Sequence, residues 1–74
     1  MNSIERVYVK IGARIRIARN RAGVTQVHLA KRVGMSRPAL ANIEVGRQRI
    51  MIHDVKRFAR ALGTKPHILM RGIW

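Results

Sequence analysis

The sequence predicts an all-α protein, a compact bundle of five short helices with a helix-turn-helix at about residues 25–46. Three observations carry that expectation. Apolar residues recur at steps of three and four through most of the chain, the spacing that lines one face of an α-helix. No stretch alternates with a period of two for long enough to make a strand. Residues 25–46 set a helix, a glycine turn and a second helix in immediate succession, with the apolar positions of each aimed at the other. The 74 residues read as one domain, 1–74, near the lower limit for a single core without disulfide or metal staples.

The first helix runs from a cap at Asn2 or Ser3 to Ala22, with Gly23 ending it. Ile4, Val7, Tyr8, Ile11, Ile15 and Ala18 form its apolar stripe, and Arg6, Lys10, Arg14 and Arg21 lie outside it. Gly12 costs about 1 kcal/mol relative to Ala inside a helix, which suggests that it relieves crowding against a neighbour. Thr25 caps the second helix, about 26–33, where Leu29, Ala30 and Val33 share a face. Gly34 follows where a left-handed backbone is wanted, a conformation that only a residue without Cβ takes freely. Ser36 is a good N-cap for the third helix, about 37–45, and Leu40 and Ile43 point back at the second. Pro38 falls in the first turn, where its missing N–H has no intrahelical partner in any case. Gly46 closes the helix, and residues 47–51 form a basic loop. Ile52, Val55, Phe58, Ala59 and Leu62 give a fourth helix ending at Gly63, and Pro66 opens a short fifth helix to about Met70.

Charge narrows the partner. Sixteen Lys and Arg face three acids, a formal net charge of +13, and twelve of the sixteen are Arg, whose planar fork suits phosphate and guanine edges. A domain this basic repels itself when folded, so a polyanion is its natural partner. Cysteine is absent, which excludes disulfides and thiolate metal sites and is compatible with a reducing cytoplasm. No apolar run approaches the roughly 20 residues that span a bilayer, and the N-terminus lacks the apolar stretch of a signal peptide. His28, His53 and His67 show no metal-ligand spacing, and Glu5, Glu44 and Asp54 are too scattered for a carboxylate pair. No metal, no cofactor and no catalysis are expected. One Tyr, one Phe and one Trp are too few for base stacking on single strands.

The chain resembles the λ Cro and phage-repressor type of helix-turn-helix, the Xre family. The resemblance rests on Ile11-Gly12-Ala13-Arg14-Ile15-Arg16, Arg19, Gly23-Val24-Thr25-Gln26, Leu29-Ala30, Gly34-Met35-Ser36, Ile43-Glu44-Val45-Gly46 and Ala61-Leu62-Gly63, and it covers residues 4–70. It implies a λ repressor-like DNA-binding domain whose third helix lies in a major groove. Arg37, Pro38, Ala39 and Asn42 then stand at the base-contacting positions, with Ala39 against a thymine methyl. Gln26, Ser36, Arg47 and Arg49 stand at phosphate-contacting ones, Gln26 also bracing the recognition helix. Arg19 and Glu44 match a salt bridge joining the first helix to the third. Met51 departs from the family's Ser or Thr cap, which implies a ragged start for the fourth helix.

The implied function is a sequence-specific double-stranded-DNA-binding transcriptional regulator, a repressor acting by operator occupancy, working in the cytoplasm as a homodimer on a pseudo-palindromic operator. Two other readings stay open: an antitoxin-like protein that also binds a partner protein, and a non-specific nucleic-acid-binding module. Val9, Ala13 and Ile17 are either scattered surface residues or a docking strip for such a partner. Ile68, Leu69, Ile73 and Trp74 either tuck onto the core or form the dimer interface, the end through which members of this family commonly meet. If they form the interface, a chain lacking residues 71–74 still folds.

Overall fold

The computed structural model describes residues 2–73. Five helices follow in order: α1 (Ser3–Arg21), α2 (Gln26–Val33), α3 (Arg37–Glu44), α4 (Ile52–Ala61) and α5 (Pro66–Met70), with no strand among the described residues. Local hydrogen bonds set the boundaries. At α1 the Asn2 side chain accepts the Glu5 N–H at 2.8 Å while the Glu5 carboxylate accepts the Asn2 N–H at 3.1 Å, a capping box. Thr25 accepts the His28 N–H, and Ser36 accepts the Ala39 N–H. The start of α4 is not ragged. Asp54 accepts the Met51 N–H at 3.2 Å, so a carboxylate three residues into the helix does the work of the missing Ser or Thr.

The helices enclose one core whose largest fully buried side chains are Phe58, Ile15, Leu29, Leu40, Ile43 and Leu69. The most extensive pairing is α1 with α3, and it depends on Gly12. A Cβ there would run into the Ile43 carbonyl oxygen and stand 3.0 Å from the Glu44 carbonyl carbon and oxygen. The two backbones therefore touch, and only glycine permits the approach.

Two members of the expected apolar stripes lie at the surface. Ile4 is 56% exposed and Ile52 86% exposed. A 19-residue helix is about 28 Å long at 1.5 Å per residue, and the molecule measures 31 × 24 × 21 Å. That length fits within the long axis, and Ile4 and Ile52 stay exposed on the rim of one open groove that also touches Val7, Ile11, Val55 and Met70. Ile52 opens α4, one turn before Val55 becomes the first residue of that helix to be buried.

The C-terminal end also differs from a simple seam. Leu69 and Ile73 are each 2% exposed, so both belong to the core and neither is available to a second copy. Arg14, expected outside the apolar stripe, donates to the Ile68 carbonyl at 3.1 Å and to the Arg71 carbonyl at 2.8 Å. This side chain adds donors to carbonyls at the end of the short α5 and ties α5 to α1. Removal of residues 71–74 therefore takes away a core side chain, contrary to the expectation of a folded truncation. Trp74 lies outside the described residues. Val9 packs on the Gly46 backbone, which leaves Ile17, at 42% exposed, as the accessible part of the Val9–Ala13–Ile17 line.

Candidate nucleic-acid interface

The α2–turn–α3 unit is built from short-range bonds. Gly34 adopts φ 76° and ψ 36°, and this left-handed step lets the Met35 N–H reach back to the Ala30 carbonyl at 2.9 Å. The chain turns sharply there, and Ser36 starts α3 two residues later. Leu40 and Ile43 face inward, fully buried against Leu29, Ala30 and Val33 of α2. With a helical repeat of 3.6 residues the opposite face must point outward. Arg37, Pro38 and Asn42 are exposed and Ala39 is half-buried.

A chain of polar contacts runs beneath that face. Arg19 makes a two-pronged ion pair with Glu44, Nε to Oε2 at 2.7 Å and Nη2 to Oε1 at 3.0 Å, and its Nη1 donates to the Val24 carbonyl at 3.0 Å. The hydrogen bond to Glu44 is the main reason the Arg19 pKa is raised above its ordinary value. Gln26 Nε2 donates to Glu44 Oε1 at 3.1 Å, and Arg37 Nη1 donates to Gln26 Oε1 at 3.1 Å. Glu44 is only 5% exposed; a carboxylate so buried is tolerable because three donors converge on it. No buried side-chain polar atom lacks a partner among the described residues. The network joins α1, α2 and α3 and holds Arg37 at the start of α3 before any ligand arrives.

The flanks carry positive potential. The first N–H groups of α2 and α3 have no intrahelical partners, and the positive ends of both helix dipoles coincide with them. After α3 the chain folds back, with the Arg47 and Gln48 N–H groups donating to the Asn42 carbonyl at 2.9 and 3.3 Å. Arg47 and Arg49 are exposed, and the Arg49 guanidinium lies 5.9 Å from the centre of the Tyr8 ring, a cation–π contact that limits its wandering. Of the three acids only Glu5 reaches this flank, where it borders the same groove as Arg47 and Arg49. Glu5 caps α1, Asp54 caps α4, and Glu44 is buried in the network. Among the described residues no group of His, Cys, Asp or Glu could hold a metal ion, and no helix is long and apolar enough to cross a membrane.

Three contacts go beyond the sequence-based expectations. Gln26 links Glu44 to Arg37 as well as bracing α3; the only available signal was its place beside Thr25 at the head of α2. The stacking of Arg49 on Tyr8 spans 41 positions and left no mark in local pattern. Asp54 three residues after Met51 is the spacing of a reversed cap, and that signal was legible.

The sequence profile described as helix-turn-helix domain matches residues 10–69. No curated protein sequence matches the chain significantly. Among solved structures, the restriction-modification controller protein C.AhdI from Aeromonas hydrophila is similar, with a TM-score of 0.80 and 31% identity, covering 84% of this chain and 94% of that one. The clp gene regulator ClgR from C. glutamicum gives a TM-score of 0.84 at 26% identity, covering 86% of this chain and 82% of that one. A chain of the SinR protein–SinI protein complex gives 0.77 at 27% identity, covering 84% and 61% respectively.

Proposed function

The chain belongs to the helix-turn-helix domain family, and on that footing we propose that it is a sequence-specific double-stranded-DNA-binding transcriptional regulator, a repressor acting in the cytoplasm by occupying an operator. The observation that carries this reading is the Arg19–Glu44–Gln26–Arg37 network under the exposed α3 face. It presents Arg37 in advance, so little side-chain entropy remains to be lost on binding.

Arg37 is the reader of guanine O6 and N7, Asn42 of adenine N6 and N7, and Ala39 meets a thymine methyl. Pro38 adds apolar contact and fixes the start of α3. Phosphates are held by Arg47 and Arg49, by the Ser36 hydroxyl, whose oxygen accepts the Ala39 N–H and whose hydrogen stays free, and by the second amide hydrogen of Gln26. The Arg19–Glu44 pair is a positioning element that touches no DNA.

One short recognition helix reads only a few base pairs, so two copies act on a pseudo-palindromic operator with α3 helices about 34 Å apart. Ile68, half-buried beside the exposed Pro66, remains from the expected dimer interface. The test is binding to DNA upstream of the protein's own gene against random duplex of equal length, with stoichiometry. Preference for the upstream DNA by at least about a thousandfold supports the reading; equal affinity for both overturns it.

A second reading, a regulator that also binds another protein, draws on the exposed Ile4, Ile17 and Ile52 and on the likeness to SinR, solved in complex with SinI.

A further inference from the structure

Positive charge on this protein is not confined to the α3 face. Lys31 and Arg32 occupy the last turn of α2, Arg57 and Arg60 lie on α4, and the four border an open groove of about 610 Å³ along the α2–α4 seam. Val33, Gly34 and Ala61 complete its walls. Neither Arg37 and Asn42 nor the Arg47–Arg49 loop borders it, so the groove is distinct from the surface assigned to operator reading.

The fold supplies almost no counter-charge there. Glu5 and Glu44 are engaged elsewhere. Asp54, which caps α4, approaches Arg57 only to 3.8 Å. Arg32 uses one donor on the Ala61 carbonyl at 3.3 Å, and Lys31, Arg57 and Arg60 are exposed. Four like charges around one concavity repel one another, and an external anion is what relieves them.

Resting on the proposed DNA-binding function, we infer that this groove is a second phosphate-binding surface. It takes the backbone of a duplex other than the one held by α3, and a bound protein thereby bridges two DNA segments. Three of the four cations are arginines, whose fork matches phosphate oxygens. An acidic protein fits less well: a protein interface needs an apolar centre, and the groove offers only buried Val33 and small Ala61. No aromatic or amide side chain lines it, so the contact is with backbone and independent of sequence.

The test uses the variant Lys31→Gln/Arg57→Gln/Arg60→Gln, three exposed positions, with Arg32 kept for its bond to Ala61 and folding checked by circular dichroism. Biotinylated upstream duplex on beads is saturated with protein, washed, and offered a fluorescent random duplex across a salt series. The wild type retains the second duplex. The variant retains at least about tenfold less, and its log-affinity versus log-salt slope for that duplex falls by about 2.7, near 0.9 for each of three lost phosphate contacts. Its affinity for the bead-bound duplex changes less than about threefold, since the α3 contacts remain.

Four results overturn the inference. In the first, wild type on the beads retains no second duplex. In the second, the variant bridges as well as wild type, which places bridging in two α3 faces of a dimer. Equal loss of both duplexes would make the groove part of the first interface. A polyglutamate peptide that displaces the fluorescent duplex at lower charge concentration than unlabelled duplex would assign the groove to an acidic protein. Failure of the wild type to bind the beads at all is a separate outcome, which defeats the proposed function and the bridging together.

Discussion

Replacing Gly12 by alanine sets two effects of opposite sign against each other. In an unobstructed helix the change stabilises by up to about 1 kcal/mol, the difference in helix propensity. Here the new methyl meets the Ile43 carbonyl oxygen and stands 3.0 Å from two Glu44 backbone atoms, well inside van der Waals contact. Overpacking costs about 1–3 kcal/mol where side chains can turn aside. These obstacles are main-chain atoms in the last turn of α3, so no rotamer change helps and the upper end applies or is exceeded. Moving α3 away by about an ångström also stretches the 2.7 and 3.0 Å bonds of the Arg19–Glu44 pair and loosens Ile11 and Ile15 against Ile43. We expect a net loss of about 2–3 kcal/mol, after subtracting the propensity gain, from a domain whose total stability is about 4–11 kcal/mol at 0.05–0.15 per residue. For a chain of this size that is a fall in Tm of roughly 10–20 °C, read by far-UV circular dichroism and checked by urea unfolding. A Tm equal to or above the wild type would refute the reasoning, because it would mean that α1 and α3 have room for a methyl group.

The other predictions separate reading, clamping and folding. Arg37→Ala and Asn42→Ala should each weaken operator binding by roughly 1–3 kcal/mol and random-duplex binding much less; equal losses on both would place these side chains away from the bases. Arg47→Ala and Arg49→Ala should weaken both kinds of DNA alike and flatten the salt slope by about one unit each, and an unchanged slope would remove them from the phosphate contacts. Glu44→Ala strands Arg19 among like charges and frees Gln26, so a double-mutant cycle with Arg19→Ala should give a coupling above the ~1 kcal/mol of exposed pairs; a value near zero would mean that the network contributes nothing to folding. Ile73→Ala should lower stability by about 2–4 kcal/mol, and near-neutral behaviour would return the C-terminal end to the surface.

The amino-acid sequence by itself determined the helices, the turn and the class of ligand. Thr25, Ser36 and Gly34 act through hydrogen bonds and backbone angles within three or four residues, so their effect is written in local order. The alternation of Leu29, Ala30 and Val33 with Leu40 and Ile43 likewise specifies which faces of α2 and α3 meet, because the turn between them is too short to allow another docking. Sixteen cations against three acids survive any folding of the chain.

Tertiary structure decided what happens at the ends of elements and between distant ones. Ile4 and Ile52 obey the same periodicity as Ile11 and Val55, yet both stay exposed on the rim of a groove shared by α1, α4 and α5. Leu69 and Ile73 look as available to a second copy as to the core, and Arg14, 54 residues before the Ile68 carbonyl it holds, tethers the segment that carries them. Gln26 between Glu44 and Arg37, Arg49 on Tyr8, and the basic groove of Lys31, Arg32, Arg57 and Arg60 share the same cause. Each joins residues far apart along the chain, and a pattern confined to one helix carries no information about which side of another helix will face it.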